Sequence, residues 1–221
     1  MMKIDVPLSV PKGVEFPEVQ DKEQLNRWLW RHIQIPQIMY LITTVSEAGV
    51  PNCEVNNRSL SFGPIPDQMF AFICWREHHT AQNVLRSGEF VANIPSSTIG
   101  EAAWRTATPY PGDVDEITES GLTPLSSKVV KTPRIKECKI HLECQLDWHK
   151  EVGKDGMILF CGRIVAASGD RDVLTGDVGA KMAHLRPIFV MPWGIDTEKM
   201  KFTGDGAGFA GIDEPRYTIQ E

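Results

Sequence analysis

Two clusters of polar side chains in this 221-residue sequence could do chemistry. The first is Asn52, Glu54, Asn56, Asn57, Arg58, Ser59 and Ser61, inside a stretch from about Val50 to Phe62 that otherwise reads as one strand. It is too polar for a core strand. Either one face is solvated, or the strand lines a polar site. The second cluster is Arg76, His78, His79 and Thr80, at the start of a short helical segment, Ala81 to Leu85. Thr80 suits the N-cap of that helix, which is its structural role. A helix start with free N–H groups, a hydroxyl, imidazoles and a guanidinium also suits an anion, and phosphate in particular.

Other chemistry finds less support. Adjacent His78 and His79 diverge, and no third ligand stands at a recognisable metal-site spacing, so no metal is expected. His141 falls on the opposite strand face from Cys138 and Cys144, so those three form no cluster. The glycines of the tail, Gly204, Gly206, Gly208 and Gly211, lack the following helix and acidic residue of a dinucleotide fingerprint, since ten residues remain. Walker A, nucleophile-elbow and H-E-x-x-H patterns are absent from the sequence. By type alone His78, His79 and His141 are acid–base candidates, and no catalytic residue is assigned.

The elements that must position these groups follow from pattern. Pro7, Pro11 and Pro17 mark an extended N-terminal arm. Asp21 with Gln24 resembles a capping box, and Leu25, Trp28, Leu29 and Ile33 fall on one helix face, ended by Pro36. Ile38 to Val45 reads as a strand, as does the apolar run Met69 to Trp75 after the turn at 63–67. Gly88 closes the short helix; Glu89 to Ile94 is a strand and Ser97 to Trp104 a second short helix. Thr106 to Thr123 reads as a long irregular segment, such as a lid or subunit contact. Beyond Pro133, Cys138, Ile140, Leu142, Cys144 and Leu146 alternate with Glu137, Lys139, His141, Glu143 and Gln145, an amphipathic strand. Gly153 to Gly156 turns into a strand from Met157 to Ala167, and Lys181 to Leu185 is helical. Six or seven strands with short helices make a mainly β fold, a closed or nearly closed barrel.

Composition fits a packed globule, with 42% hydrophobic and 24% charged residues. A net charge of -6 disfavours nucleic acid and anionic membranes as partners. Apolar runs stay short of the roughly 18 residues of a membrane span. Met1 to Gln20 carries acidic residues and no apolar core, so a secretory leader is not expected. Five cysteines without a C-x-x-C read as buried, reduced thiols of a cytoplasmic protein.

Across residues 36–168 the chain resembles the flavin reductase-like, FMN-binding split-barrel family, which includes flavoredoxins and the small reductase components of two-component monooxygenases. The resemblance rests on Pro36 with the strand IMYLITTV, Gly49-x-Pro51-Asn52, the proline turn before MFAFI, Thr80-x-x-Asn83, and Gly88-Glu89-Phe90-Val91 with Asn93-Ile94. It continues through Asp115-Glu116 before Gly121-Leu122, Pro133-x-Ile135-x-Glu137-Cys138, Leu142-Glu143-Cys144 and Gly162-x-Ile164. It implies a Greek-key split barrel over 36–190, with 1–35 as an arm and helix and 191–221 as a C-terminal extension. It implies a homodimer with FMN at the subunit interface, and NAD(P)H or a redox protein as electron source. Carried over by position, Asn52, Asn57, Arg58 and Ser59 would face the ring or ribityl chain. Thr80 would meet the phosphate or ribityl, with Arg76, His79 and Asn83 near it. Arg58 stands where reductases often carry an aromatic residue. Met157 replaces a histidine associated with the nicotinamide pocket, and Arg163 replaces a glutamate. These departures keep an electron carrier without NAD(P)H activity as the alternative.

Overall fold

The computed structural model describes residues 37–190 except 155, with the backbone of 191, 194–196, 201–203 and 208–211. The expected arm and the helix near 21–33 lie outside the described residues, as do residues 204–207 of the glycine-rich tail.

Chain contacts divide the molecule into two compact units. The larger comprises residues 38–188 and 211–221. The smaller takes in 1–37 and 189–210. In chain order the strands are β1 (Gln37–Ile38), β2 (Tyr40–Val45), β3 (Pro51–Asn56), β4 (Ser59–Phe62), β5 (Met69–Trp75) and β6 (Glu89–Ile94). Then come β7 (Pro124–Leu125), β8 (Arg134–Ile135), β9 (Ile140–Val152), β10 (Met157–Gly169) and β11 (Ile188–Met191). Last are β12 (Gly194–Asp196), β13 (Lys201–Thr203) and β14 (Gly208–Gly211), of which β12 and β13 pair as an antiparallel hairpin.

The larger unit is built on a seven-stranded sheet ordered β3-β2-β6-β9-β10-β5-β4, its ladders antiparallel throughout. The two edge strands, β3 and β4, are consecutive in the chain and separated only by Asn57 and Arg58. The sheet must therefore curl until its edges approach, which makes the expected nearly closed barrel. The single strand expected over 50–62 is corrected here: it is two strands meeting at a corner. Asn56 makes the corner. Its Nδ2 donates to the Ile73 carbonyl at 2.8 Å, and its Oδ1 accepts from Arg58 N at 2.9 Å and Ser59 Oγ at 2.8 Å. Ile73 N donates to the Arg58 carbonyl at 3.0 Å, tying the second edge to the corner.

Inside the curl lies an aromatic core. Phe72 stacks on Phe160 with centroids 5.2 Å apart and meets Phe90 edge-on at 5.0 Å; Tyr40 meets Phe70 edge-on at 5.2 Å. Ile42, Val84, Cys144 and Ile158 complete it. Gly162 admits the Phe90 ring: a Cβ there would stand 2.6 Å from Phe90 Cε1. All five cysteines are buried and unpaired.

A helix at His79–Ser87 packs between β5 and β6 in sequence, and Gly88 ends it in the left-handed region at φ 68°, its N–H donating to the Val84 carbonyl. This helix starts earlier than expected. His78, not Thr80, is the N-cap residue, and Thr80 lies buried in the first turn. A 3-10 turn at Ser97–Ile99 runs into the helix Gly100–Arg105, and Arg171–Leu174 and Val178–Leu185 are helical. The segment 106–123 is less irregular than expected, because Glu116–Glu119 forms a helical turn capped by Asp115 through Ile117 N and Thr118 N.

The polar face of β9 is also corrected. His141 and Glu143 are buried. The Glu143 carboxylate accepts backbone N–H bonds from Lys128, Val129 and Val130, at 2.7–3.3 Å. Burial would raise its pKa, but these donors outweigh it and hold the carboxyl below the usual range.

Candidate functional site

Register places Asn52 opposite Thr44, Glu54 opposite Ile42 and Asn56 opposite Tyr40, so these polar side chains share the face that carries the core residue Ile42. A solvated edge is thereby excluded for Asn52 and Asn56, which are both buried. Asn56 closes the corner. Asn52 and Glu54 meet the start of the 79–87 helix.

The Asn52 amide lies 2.8 Å from Thr80 Oγ1 and 3.2 Å from Thr44 Oγ1. Asn83 Nδ2 donates to the same Thr44 hydroxyl at 3.0 Å. Turning the Asn52 amide lets its oxygen accept from both hydroxyls while its nitrogen donates to Glu116 Oε1 at 3.2 Å. The T-x-x-N pair thus pins the helix to β2 and β3 through a buried network. Glu54 accepts from the Cys74 thiol at 3.1 Å and lies 3.2 Å from His78 Nδ1. That hydrogen bond is the main reason the His78 pKa rises.

Two cavities open here. The larger, about 420 Å³, is lined by Asn52–Val55, Glu77–Thr80, Thr106–Tyr110 and Glu116. The smaller, about 220 Å³, includes Asn83, Gln82 and Gly112 in its wall. Asn52, His79 and Glu116 belong to both and form the divide. Glu116 reaches the divide from its helical turn. It accepts the Cys53 N–H at 2.8 Å and lies 3.9 Å from His79 Nδ1. Burial drives its pKa up to about 7, helped by Glu54 and Asp115 and opposed by the Cys53 N–H and His78.

Of the residues expected at a cofactor, the structure brings Asn52, His79, Thr80 and Asn83 together. Asn57, Arg58 and Ser59 sit at the corner, outside both cavity linings. Arg76 points to the end of β9, where it pairs with Glu151. Glu54 stood in the polar cluster without a role, and sequence reasoning missed Cys74, Thr106, Thr108, Tyr110 and the role of Glu116. Only Asp115-Glu116 carried a signal, as part of the resemblance.

The donor set suits a phosphate-bearing ligand with hydroxyl and ring groups. The 79–87 helix has no side-chain cap and no acidic residue in its first turn, so its N-terminal charge is open to an anion. The hydroxyl-bearing residues Thr80, Thr106, Thr108 and Tyr110 line the larger cavity. Its size falls within the roughly 300–1,000 Å³ of small-molecule sites. Against this stand Glu54, Glu77 and Glu116; Glu54 is engaged with His78, and Glu116 is half-neutral near pH 7. A flavin nucleotide fits this donor set.

Comparison with known proteins agrees. The family described as the flavin reductase like domain matches residues 31–185. An uncharacterised protein of Aquifex aeolicus is 29% identical over 158 residues, covering 70% of this chain and 80% of that protein. The uncharacterised protein YwrF of Bacillus subtilis is 31% identical over 152 residues, covering 66% and 74%. Among solved structures, nitrilotriacetate monooxygenase component B from Bacillus cereus superposes with a TM-score of 0.75 at 23% identity, covering 95% of this chain and all of that one. Flavoredoxin of Desulfovibrio vulgaris (Miyazaki F) gives 0.68 at 20% identity, covering 85% and 93%. At these identities the two structures speak for the split-barrel fold, and the family match speaks for kinship: the chain belongs to the flavin reductase-like domain family.

Proposed function

We propose that the protein is an FMN-binding oxidoreductase that takes electrons from NAD(P)H or from a redox protein. The observation that carries the reading is the start of the nine-residue helix His79–Ser87, without a side-chain cap, beside a cavity that Thr80, Thr106, Thr108 and Tyr110 help to line. Bound flavin would supply hydride and single-electron chemistry. The chain's own residues bind and orient it. The helix start with Thr80 and His79 receives the phosphate, and Asn52 fixes the ribityl side. In a homodimer sharing its flavin across the interface, Asn57, Arg58 and Ser59 enter the site from the corner. Five reduced, buried cysteines fit a cytoplasmic protein.

An electron carrier without NAD(P)H activity is the second reading. Arg163 favours it, because its guanidinium, midway along β10, is engaged with Asp67 at 2.7 Å and Asp147 at 3.5 Å. Met157 favours it too, half-buried opposite Trp75 and Val152 where many reductases carry histidine.

The absorption spectrum of the freshly purified protein, with mass spectrometry of what heat releases, tests the cofactor. Oxidised-flavin bands and released FMN are expected. A colourless protein that takes up no added FMN would sink the proposal, and released FAD would correct it. Stopped-flow mixing with NADH and NADPH then separates the two readings: reduction much faster than that of free FMN identifies a reductase, and no acceleration identifies the carrier.

A further inference from the structure

We propose that Glu54, Cys74 and His78 form a binding site for one zinc ion, with its remaining coordination position facing the larger cavity. The three residues come from different elements: Glu54 from β3, Cys74 from β5, and His78 from the cap of the 79–87 helix. Their ligand atoms all lie within 4.8 Å of one another, and no other trio of His, Cys, Asp or Glu among the described residues comes so close. Cys74 Sγ stands 3.1 Å from Glu54 Oε2, and His78 Nδ1 stands 3.2 Å from Glu54 Oε1. Tetrahedral zinc holds its N, O and S ligands roughly 3.3–3.8 Å apart, given its bond lengths, so small rotamer adjustments bring the three to a common ion.

Ligand chemistry selects the metal. A thiolate with imidazole and carboxylate suits zinc, and the soft sulfur excludes magnesium and calcium. Three protein ligands leave a fourth position open. Glu54 and His78 both line the larger cavity, so that position faces it.

Without metal the same atoms form a relay in which the Cys74 thiol donates to Glu54 and Glu54 pairs with His78. Burial and Glu54 hold the Cys74 thiol well above its ordinary range, so it is protonated in that state. Zinc binding releases this proton, and a second from His78 where the imidazole is charged. Zn–S, Zn–N and Zn–O bonds replace bonds to water on the hydrated ion, and the S–H proton, with the N–H proton where the imidazole is charged, passes to solvent.

The site borders the cavity proposed for the flavin and shares Glu54 and His78 with its lining, so its test reads the metal alone. The full chain, stripped with chelator, is titrated with Co²⁺ as a spectroscopic probe and then with Zn²⁺. One equivalent of Co²⁺ should bind with a thiolate-to-cobalt charge-transfer absorption that Zn²⁺ abolishes. Cys74→Ser should lose that absorption. His78→Ala, at an exposed position, should weaken binding by more than the roughly 10–100-fold that loss of an outer-shell partner costs. The absence of a charge-transfer absorption in the wild-type chain would overturn the proposal, as would an absorption that His78→Ala leaves unchanged. FMN uptake by the same preparation is read separately, so failure of one reading is not mistaken for failure of the other.

Discussion

Glu116 is where burial most alters a single group. Cys53 N–H, Asn52, His79, His78, Glu54 and Asp115 surround it. Its pKa, near 4.5 in an unfolded chain, rises to about 7 in the fold. The folded state thus binds more protons than the unfolded one between these values, so stability is fully present below about 4.5 and is lost as pH rises through about 7. The shift corresponds to roughly 3 kcal/mol. Urea unfolding at pH 5 and pH 8 should show this decline, and Glu116→Gln should flatten it relative to wild type. An equal slope in both would refute the assignment. In the same window the affinity for a phosphate-bearing ligand should fall as Glu116 ionises, and calorimetric titration of FMN into Glu116→Gln should show less pH dependence. Thr80 gives a second test. Thr80→Val removes one partner of the buried Asn52 amide, which keeps Thr44, and should cost about 0.5–1.5 kcal/mol in urea unfolding, while Thr80→Ser should retain most of the stability. Neither role could be read from the sequence. Thr80 has the composition of a cap, and only the fold shows that the helix begins two residues earlier and turns the hydroxyl inward.

The strands and helices show which patterns were legible. Met69–Trp75 and Glu89–Ile94 have the residue limits their apolar runs imply, because a buried strand needs only a continuous run and a turn. The stretch 50–62 misled, because its polar residues are satisfied by the barrel seam. Asn56 bonds across the corner to Ile73, a contact no local pattern contains. The polar face of β9 misled for a similar reason. Glu143 is buried because the distant segment 128–130 brings it three N–H donors. Packing between elements is sharpest at Gly162, where a methyl would meet both the Phe90 ring and, at 3.0 Å, the Gln145 carbonyl. Gly162→Ala should therefore destabilise by about 1–3 kcal/mol in thermal or urea unfolding. Pairing it with Phe90→Leu should recover part of the loss, a coupling that a double-mutant cycle measures. Strict additivity would show that the clash is relieved elsewhere.

For the whole molecule, the proposed homodimer has a candidate surface. Register aligns Leu60, Ala71, Cys161 and Trp148 in one row across β4, β5, β10 and β9, on the face opposite Phe70 and Phe72. Leu60 and Trp148 remain 55% and 43% exposed, which is much apolar surface for one sheet face. Leu60→Glu with Trp148→Glu should convert a dimer to a monomer in sedimentation velocity; an unchanged dimer would place the interface elsewhere. The mainly β barrel was legible in the sequence because turns separate its strands so regularly. The meeting of four elements at one cavity was not, since Glu54, Cys74, His78 and Glu116 are spread over more than sixty positions. The barrel seam also bears on how the protein behaves in a crowded solution. An open seven-stranded sheet would offer two raw ladder edges on which foreign strands could grow. Here the edges are neighbouring pieces of one chain stretch, six and four residues long, turned toward each other at the Asn57–Arg58 corner. The closure that shapes the binding cavity is thereby also a guard against fibrillar aggregation.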